Sequence, residues 1–372
     1  MTGLQDRLTP EQVEAFGREL DELRQRVVAD LGQADVDYIR KLIRTQRGLE
    51  VLGRGLLFAG FFPPAWVAGV AALSLSKILD NMEIGHNVMH GQYDWTRIPE
   101  LSSRRFEWDT LAPAENWRHS HNYVHHTYTN VLAKDRDIGY GVLRMDPDQP
   151  WHPYYLGNPV YAALLAVFFQ WGVMLHDLEV ERLVRGERRW VELREVRARI
   201  RRKAARQIGK EYVLFPLLTG PLAPLTLLGN ATANLTRNLW AFAIIFCGHF
   251  PADVESFTEE ETANETRGQW YLRQILGSAN ITGGPLFHVL SGNLSHQIEH
   301  HLFPDLPARR YPRIAAEVRE TCERYGLPYH TGPLHRQLAS VAKKIVSLAL
   351  PWTGRRRADR TSLTGDGSRS AA

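Results

Sequence analysis

The sequence predicts an all-α integral membrane protein, with two transmembrane helical hairpins and a cytosolic, histidine-rich helical cap. Three observations predict it. Apolar residues are gathered into a few long runs, although the mean hydropathy is only −0.31. A Lys/Arg-rich segment, 178–210, separates two of those runs. Histidines recur at one-turn spacing in three places near the ends of the apolar blocks.

In chain order, residues 1–45 read as an amphipathic helical lead. Thr9-Pro10-Glu11-Gln12 is a capping-box start, with Pro10 at the first helical position. Val13, Phe16, Leu20, Leu23 and Val27 follow at helical spacing, which lays the helix on the protein or on a membrane surface. The first apolar block, 49–79, is interrupted by Pro63-Pro64 and carries Arg54. With its flanks, 46–85, it is long enough for two spans turning at the prolines. A single tilted span, which needs about 20 apolar residues, is the competing reading.

Residues 91–157 are polar. A third apolar run, 159–175, ends in His176-Asp177, and the basic segment 178–210 follows. That segment suits anionic headgroups, a phosphorylated ligand or an acidic protein. Against this stands a solvated helix balanced by its own glutamates, as in the Glu181–Arg185 pair. A long apolar block covers 212–250, and its polar interruption at 229–234 predicts the turn of a second hairpin, with spans near 212–249.

Short cytoplasmic loops carry the Lys/Arg excess, so 178–210 is expected on the cytoplasmic side. The run 159–175 is then embedded without crossing. Two hairpins leave both termini and every histidine group on one face. Beyond them, 253–267 reads as an acidic surface loop and 296–301 as a helix stopped by Pro304. Residues 308–350 read as helical with a turn at Gly326-Leu327-Pro328, and 351–372 as a disordered tail. The domain reading is therefore a lead, 1–45, a membrane domain, 46–350, and the tail.

Composition narrows the function. A net charge of +4 is too mild to argue for nucleic acid. Two cysteines, Cys247 and Cys322, exclude a disulfide framework or a thiolate zinc site. The start carries no signal-peptide pattern, so the N-terminus is expected to stay cytosolic. Only seven of the 45 basic residues are lysine, a usage associated with GC-rich bacterial genomes, and a bacterial plasma membrane is the expected location. There is no internal repeat, no nucleotide-binding glycine motif and no fused haem motif.

The chemistry lies in the histidines. His86 and His90 form HxxxH, and His121, His125 and His126 form HxxxHH. His296, His300 and His301 repeat the second spacing. Eight imidazoles are too many for one tetrahedral zinc and suit two metals of higher coordination. A metal-transport protein would place ligands along its spans, whereas these lie at span ends. A carboxylate-bridged di-iron bundle needs paired Glu-x-x-His motifs, and only Glu83–His86 fits.

The strings HNVMH (86–90), HNYVHHTYTN (121–130) and HQIEHHLFP (296–304) resemble the histidine boxes of the membrane-bound fatty acid desaturases, in the branch with front-end and bacterial acyl-CoA or acyl-lipid enzymes. The resemblance covers roughly 46–340. It implies two Fe ions, O2, a separate electron donor of ferredoxin/reductase or cytochrome type, and a long-chain acyl-CoA or acyl-lipid substrate held among membrane lipids. It implies a cis double bond as product, with hydroxylation on the same scaffold as the rival. Carried over residue by residue, it implies His86, His90, His121, His125, His126, His300 and His301 as ligands, with His249 at the end of the last span. In the third box His296 is favoured as ligand because its spacing repeats that of His121. Gln297, the front-end position, is the alternative to it, approaching the metal through water instead. His119 falls to an outer hydrogen-bonding position, and His176 reads as an ordinary polar residue. Asp135 and Asp137 read as parts of a solvated loop.

Overall fold

The computed structural model describes residues 8–176, 178–184, 186–187 and 189–351. The expected tail, 351–372, apart from its first residue, lies outside the described residues, as does Arg185 of the Glu181–Arg185 pair.

Helix α1 (Pro10–Ala29) starts as its sequence requires. The Thr9 side chain accepts from the Gln12 amide, and the Gln12 side chain accepts from the Thr9 amide. Its buried face of Val13, Phe16, Leu20 and Leu23 packs on the protein, against helices Arg267–Leu276 and Tyr311–Arg324. The crossing is close because glycine faces glycine. A Cβ added at Gly17 would lie 2.9 Å from the Gly268 Cα, and one added at Gly268 would lie 2.3 Å from the Val13 carbonyl oxygen.

Helix α2 (Gln33–Leu57) and helix α3 (Pro63–Ile78) form the first hairpin, turning immediately before Pro63. Proline supplies the preset φ of a first helical turn and needs no amide partner there. α3 then continues as a π-helix, Leu79–His86, that delivers the first histidine pair.

The second hairpin differs from the sequence expectation. Its turn lies at 219–222, where Gly220 has φ +57°, and residues 229–234 are inside the 27-residue helix Ala223–His249. The polar interruption is helical because its side chains find buried partners. Asn230 accepts from Arg54 at 2.7 Å and donates to the Glu211 carbonyl at 2.5 Å, and Asn234 donates to Tyr212 at 2.9 Å. The first arm of this hairpin continues back into the basic helix Arg194–Ile208.

Where the two hairpins pack together, buried charges pair: Arg54 meets Glu211 at 2.6 Å and Lys77 meets Glu211 at 3.3 Å, while the half-buried Lys210 reaches Asp109 of the following loop at 2.5 Å. Near the hairpin turns the outer surface is apolar. Phe61 and Phe62, Leu217 and Leu218, and Leu227 and Leu228 are all exposed. The run 159–175 is broken by a 102° bend between Pro153–Val167 and Phe169–His176, and it exposes Val160, Leu164 and Phe168. Among the described residues no single helix is long and apolar enough to cross a membrane. Polar residues within Ala223–His249 and the charged first half of α2 dilute the two longest helices.

The protein is mostly helical. The described residues also hold one small parallel pair, β1 (Asn280–Thr282) with β2 (Thr331–Pro333), which an all-α reading omits. It has a local purpose. Asn280 accepts from the Ile298 amide at 2.9 Å and donates to Glu299 at 2.9 Å, which ties the third histidine helix, Gln297–Leu302, to the cap.

Candidate metal centre

Each histidine group is delivered by a helix end or a widened helix. His86 closes the π-helix Leu79–His86, and His90 follows one turn later. His121 and His125 lie on a second π-helix, Arg118–His125, with His126 immediately after it. The wider turn of a π-helix pairs residues four and five apart, so His121 can share a face with both His125 and His126. His249 ends the long helix of the second hairpin. His300 and His301 lie in the last turn of Gln297–Leu302.

These elements converge. Ligand atoms of His86, His90, His121 and His300 all lie within 4.8 Å of one another, and so do those of His125, His249 and His301. His126, His300 and His301 form a third such group, overlapping both. Through the shared His300 and His301 the groups join into one continuous cluster that could hold metal. One nitrogen or more on each of His90, His121, His125, His126, His249, His300 and His301 is buried without a hydrogen-bond partner. An orphaned buried polar atom costs about 1–3 kcal/mol, so seven such residues in one cluster fit metal ligation.

On several of these rings the other nitrogen is held, although His126 has neither partnered. The His125 Nδ1–H donates to Asp135 at 2.9 Å, and the His121 Nδ1–H donates to Asp137 at 3.0 Å. Asp137 also accepts from His176 Nε2 at 2.9 Å. His301 Nδ1 donates to Gln274 Oε1 at 3.1 Å. A proton fixed on Nδ1 leaves Nε2 as the free lone pair, the arrangement that orients a metal-binding imidazole. Asp135 is fixed in turn by the backbone amides of Asn130 and Asp137.

Electrostatics favour the neutral ligand form. Burial drives His90, His126, His300 and His301 well below the usual imidazole value, and neighbouring imidazoles add to the effect. Burial, with His121 second, takes His86 down to about 3. His125 goes the other way. Burial pulls it down, but the Asp135 and Asp137 carboxylates together outweigh burial and raise it.

Eight of the nine sequence-predicted ligands come together, and His296 does not. It caps the third helix at φ −105° and ψ 59°, so it is out of helical phase with His300, and its ring packs at a tilt 4.6 Å from that of His288 instead. The HxxxHH spacing is repeated in letters and not in conformation. Gln297 takes the place, with its Nε2 3.1 Å from His249 Nε2 and its Oε1 unpartnered. Gly248 makes room, since a Cβ there would sit 2.9 Å from the Gln297 side chain. His119 is exposed and stacks on Tyr123, away from the cluster.

Sequence reasoning underweighted Asp135, Asp137 and His176, which are buried and not in a solvated loop. The signal was the Asp-x-Asp string nine residues after the second box, and its partner His176 carried none.

A cavity reaches the cluster at His86, His121, His249 and Gln297. Its walls are largely apolar, with Met82, Trp108, Phe169, Val173, Ala241 and Ile245. Trp108 also lines an open groove that holds Arg199, Arg202, Lys203, Arg206 and Lys210. The basic helix is therefore not balanced by its own glutamates alone. Lys203 pairs with Glu107 and Lys210 with Asp109, while Arg202 and Arg206 stay exposed.

Comparison with known proteins agrees with this arrangement. A family model described as fatty acid desaturase matches residues 62–333. The chain is 47% identical over 352 residues to the NADPH-dependent stearoyl-CoA 9-desaturase of Mycobacterium tuberculosis, covering 92% of this chain and 82% of that one. It is 27% identical over 287 residues to the sn-1 linoleoyl-lipid 6-desaturase of Synechocystis, covering 75% and 79%. The Delta(5) fatty acid desaturase A of Dictyostelium discoideum is 27% identical over 285 residues, covering 73% and 60%.

Proposed function

The chain belongs to the fatty acid desaturase family and is an oxidoreductase of that kind; on that premise we propose that it is a di-iron, O2-dependent desaturase of a long-chain acyl-CoA. The observation that carries the reading is the continuous cluster of eight imidazoles, opening on an apolar cavity. His86, His90, His121, His125, His126, His249, His300 and His301 hold the two irons, and Gln297 replaces His296 beside them.

Iron, when bound, supplies the O2 chemistry that takes hydrogen from two neighbouring methylenes. Overall the substrate loses two hydrogens, and two electrons and two protons from a donor complete the reduction of O2 to water. The protein's own part is positional. Asp135 and Asp137 hold the His125 and His121 protons on Nδ1 and keep those rings aimed. Met82, Phe169, Ala241 and Ile245 give a flexible alkyl chain a dry wall and exclude water from the reacting carbons.

The choice of acyl-CoA over acyl-lipid is supported by the groove beside the cavity, where five basic side chains outnumber the carboxylates of Asp80, Glu107, Asp109 and Glu115 and the exposed Arg202 and Arg206 suit a phosphorylated carrier. It is supported too by the substrate named for the Mycobacterium relative. Electrons come from a separate donor, with NADPH as the source favoured because the Mycobacterium relative is named as NADPH-dependent.

We place the exposed apolar band of both hairpin turns and of the bent pair in the lipid of the plasma membrane, with the histidine centre and both termini on the cytoplasmic side. Contiguous exposed apolar surface of this kind marks contact with lipid or partner.

The test is expression in a host of known fatty-acid composition with a competent donor, followed by mapping of double bonds. New cis unsaturation in the acyl-CoA pool ahead of the lipid pool is expected. No new double bond in iron-loaded protein would sink the reading, and hydroxylated product would favour the rival chemistry.

A further inference from the structure

Among the described residues three rings other than histidine touch the imidazoles of the cluster. Phe250 lies 6.0 Å from His249, and a phenyl ring does not readily give up an electron. Tyr311 lies 6.1 Å from His300, is fully buried and meets no further ring among the described residues. Trp117 is different. Its indole stacks on His121, with centroids 4.5 Å apart and planes at 21°, and lies 5.4 Å from both His86 and His90. It also packs 5.2 Å from Trp108. Trp108 lines the open groove as well as the cavity. Its Nε1–H donates to the Ala112 carbonyl at 2.6 Å, which fixes the ring in the groove wall.

Two touching indoles thus join a metal-binding imidazole to an open groove. Indole is among the most easily oxidised side chains, yet it yields an electron only to a strong oxidant. It is therefore idle while a donor reduces the metal centre. It responds only to an oxidant strong enough to break a methylene C–H bond. We propose that Trp117 and Trp108 form a relay that drains oxidising equivalents from the metal centre to a thiol in the groove when no acyl chain is bound, and so protects the ligands from self-oxidation. The proposal rests on the desaturase reading above.

The electrons balance. With substrate, the two hydrogens of a methylene pair complete the reduction of O2 that the donor began. Without it, each passage moves one electron from Trp117 to the centre, one from Trp108 to Trp117 and one from a thiol to Trp108. Two passages oxidise two thiols to one disulfide, and the two thiol protons complete the water that the methylene hydrogens would have formed. Both indoles end as they began. The same layout lets substrate switch the relay off. The cavity that takes the alkyl chain is walled by both indoles, and the groove that suits the carrier is the one that Trp108 lines. An occupied cavity puts C–H bonds beside the centre, and an occupied groove keeps the thiol away from Trp108.

The readout is where the protein is oxidised, rather than how fast it turns over. The test incubates the purified, iron-loaded full chain with O2, a competent electron donor and catalase, without acyl substrate, and maps added oxygen by peptide mass spectrometry. With no thiol present, an oxidised Trp108 is consumed by O2 or water and keeps an added oxygen atom. Wild-type protein should therefore collect oxygen on Trp108 above the level of the iron-free protein, and a thiol or a saturated acyl-CoA should each suppress it. Trp117→Phe keeps a ring against His121 but breaks the relay. Its Trp108 oxidation should fall to the iron-free level, while oxidation of Met82 and His121 rises. Trp117→Tyr, equal in shape to the phenylalanine variant but oxidisable, should restore the wild-type pattern, which stacking alone would not do. If Trp117→Phe fails to fold or to hold iron, the wild-type comparison of iron-loaded with iron-free protein decides. A wild-type protein that desaturates acyl-CoA, yet whose Trp108 is oxidised no more than in iron-free protein or no more than in Trp117→Phe, would overturn the relay alone. No desaturation by the wild-type protein would overturn the relay together with the reading beneath it.

Discussion

At the scale of single residues, the centre depends on carboxylates as much as on imidazoles. Asp137 accepts from His121 and from His176, so one side chain holds a ligand and ties it to the bent helix behind. Asp137→Asn is expected to weaken iron binding by about 10–100-fold, the usual cost of losing a ligand's orienting partner. Competition against a chelator with purified protein measures it without reference to turnover. His125→Ala should abolish desaturation and lower the iron stoichiometry, and an active variant would remove His125 from the centre. The third box offers a sharper contrast. His296→Ala should keep its iron, because His296 faces His288, whereas Gln297→Ala should lose affinity beside His249. Reversal of that order would restore the spacing argument over the observed one.

At the scale of elements, the lead helix matters through its contact with the cap. α1 crosses Arg267–Leu276 at the Gly17–Gly268 contact, and Arg267–Leu276 carries Gln274, the partner of His301. Gly268→Ala would drive a methyl group onto the Val13 carbonyl. The expected loss is roughly 1–3 kcal/mol, read as a lower Tm in detergent, with reduced iron retention as the helix shifts. The start of α2 is fixed by charge. Asp35 is buried, which alone would raise it, but two hydrogen bonds from Arg310 and one from the Gly32 amide hold it below the usual carboxylate value. A carboxyl lowered in the folded state adds stability that is complete above its unfolded value of about 3.9. That stability is lost as pH falls through the lower folded value. Acid unfolding of Asp35→Asn should therefore show a shallower pH dependence below pH ~4 than the wild-type protein. The site's elements were legible unevenly. Thr9-Pro10-Glu11-Gln12 and Pro63-Pro64 act locally, and the structure keeps both starts. The turn of the second hairpin was misplaced, since 229–234 looks like a break until Arg54, Glu211 and Tyr212 supply partners from other segments.

At the scale of the whole molecule, charge pairs lie where the hairpins meet and apolar side chains cover the turns. If the apolar band sits in lipid, a cysteine placed at Phe61 or Leu218 should resist labelling from the cytoplasm. One placed at Arg202 in the basic groove should label readily in inside-out vesicles. Equal labelling of all three from the cytoplasmic side would refute the proposed insertion.

The sequence by itself determined the helical class, the starts of α1 and α3, and seven of the eight converging imidazoles; the eighth, His249, was named only through the family resemblance. Those signals are local: a capping box, a proline pair, histidines one turn apart. Tertiary structure alone decided that His296 leaves the cluster, that Gln297 enters it, and that Asp135, Asp137 and His176 stand behind it. A side chain's role at a metal centre depends on where its ring points and what holds the far nitrogen. Both are set by backbone phase and by partners distant in sequence, which spacing cannot encode.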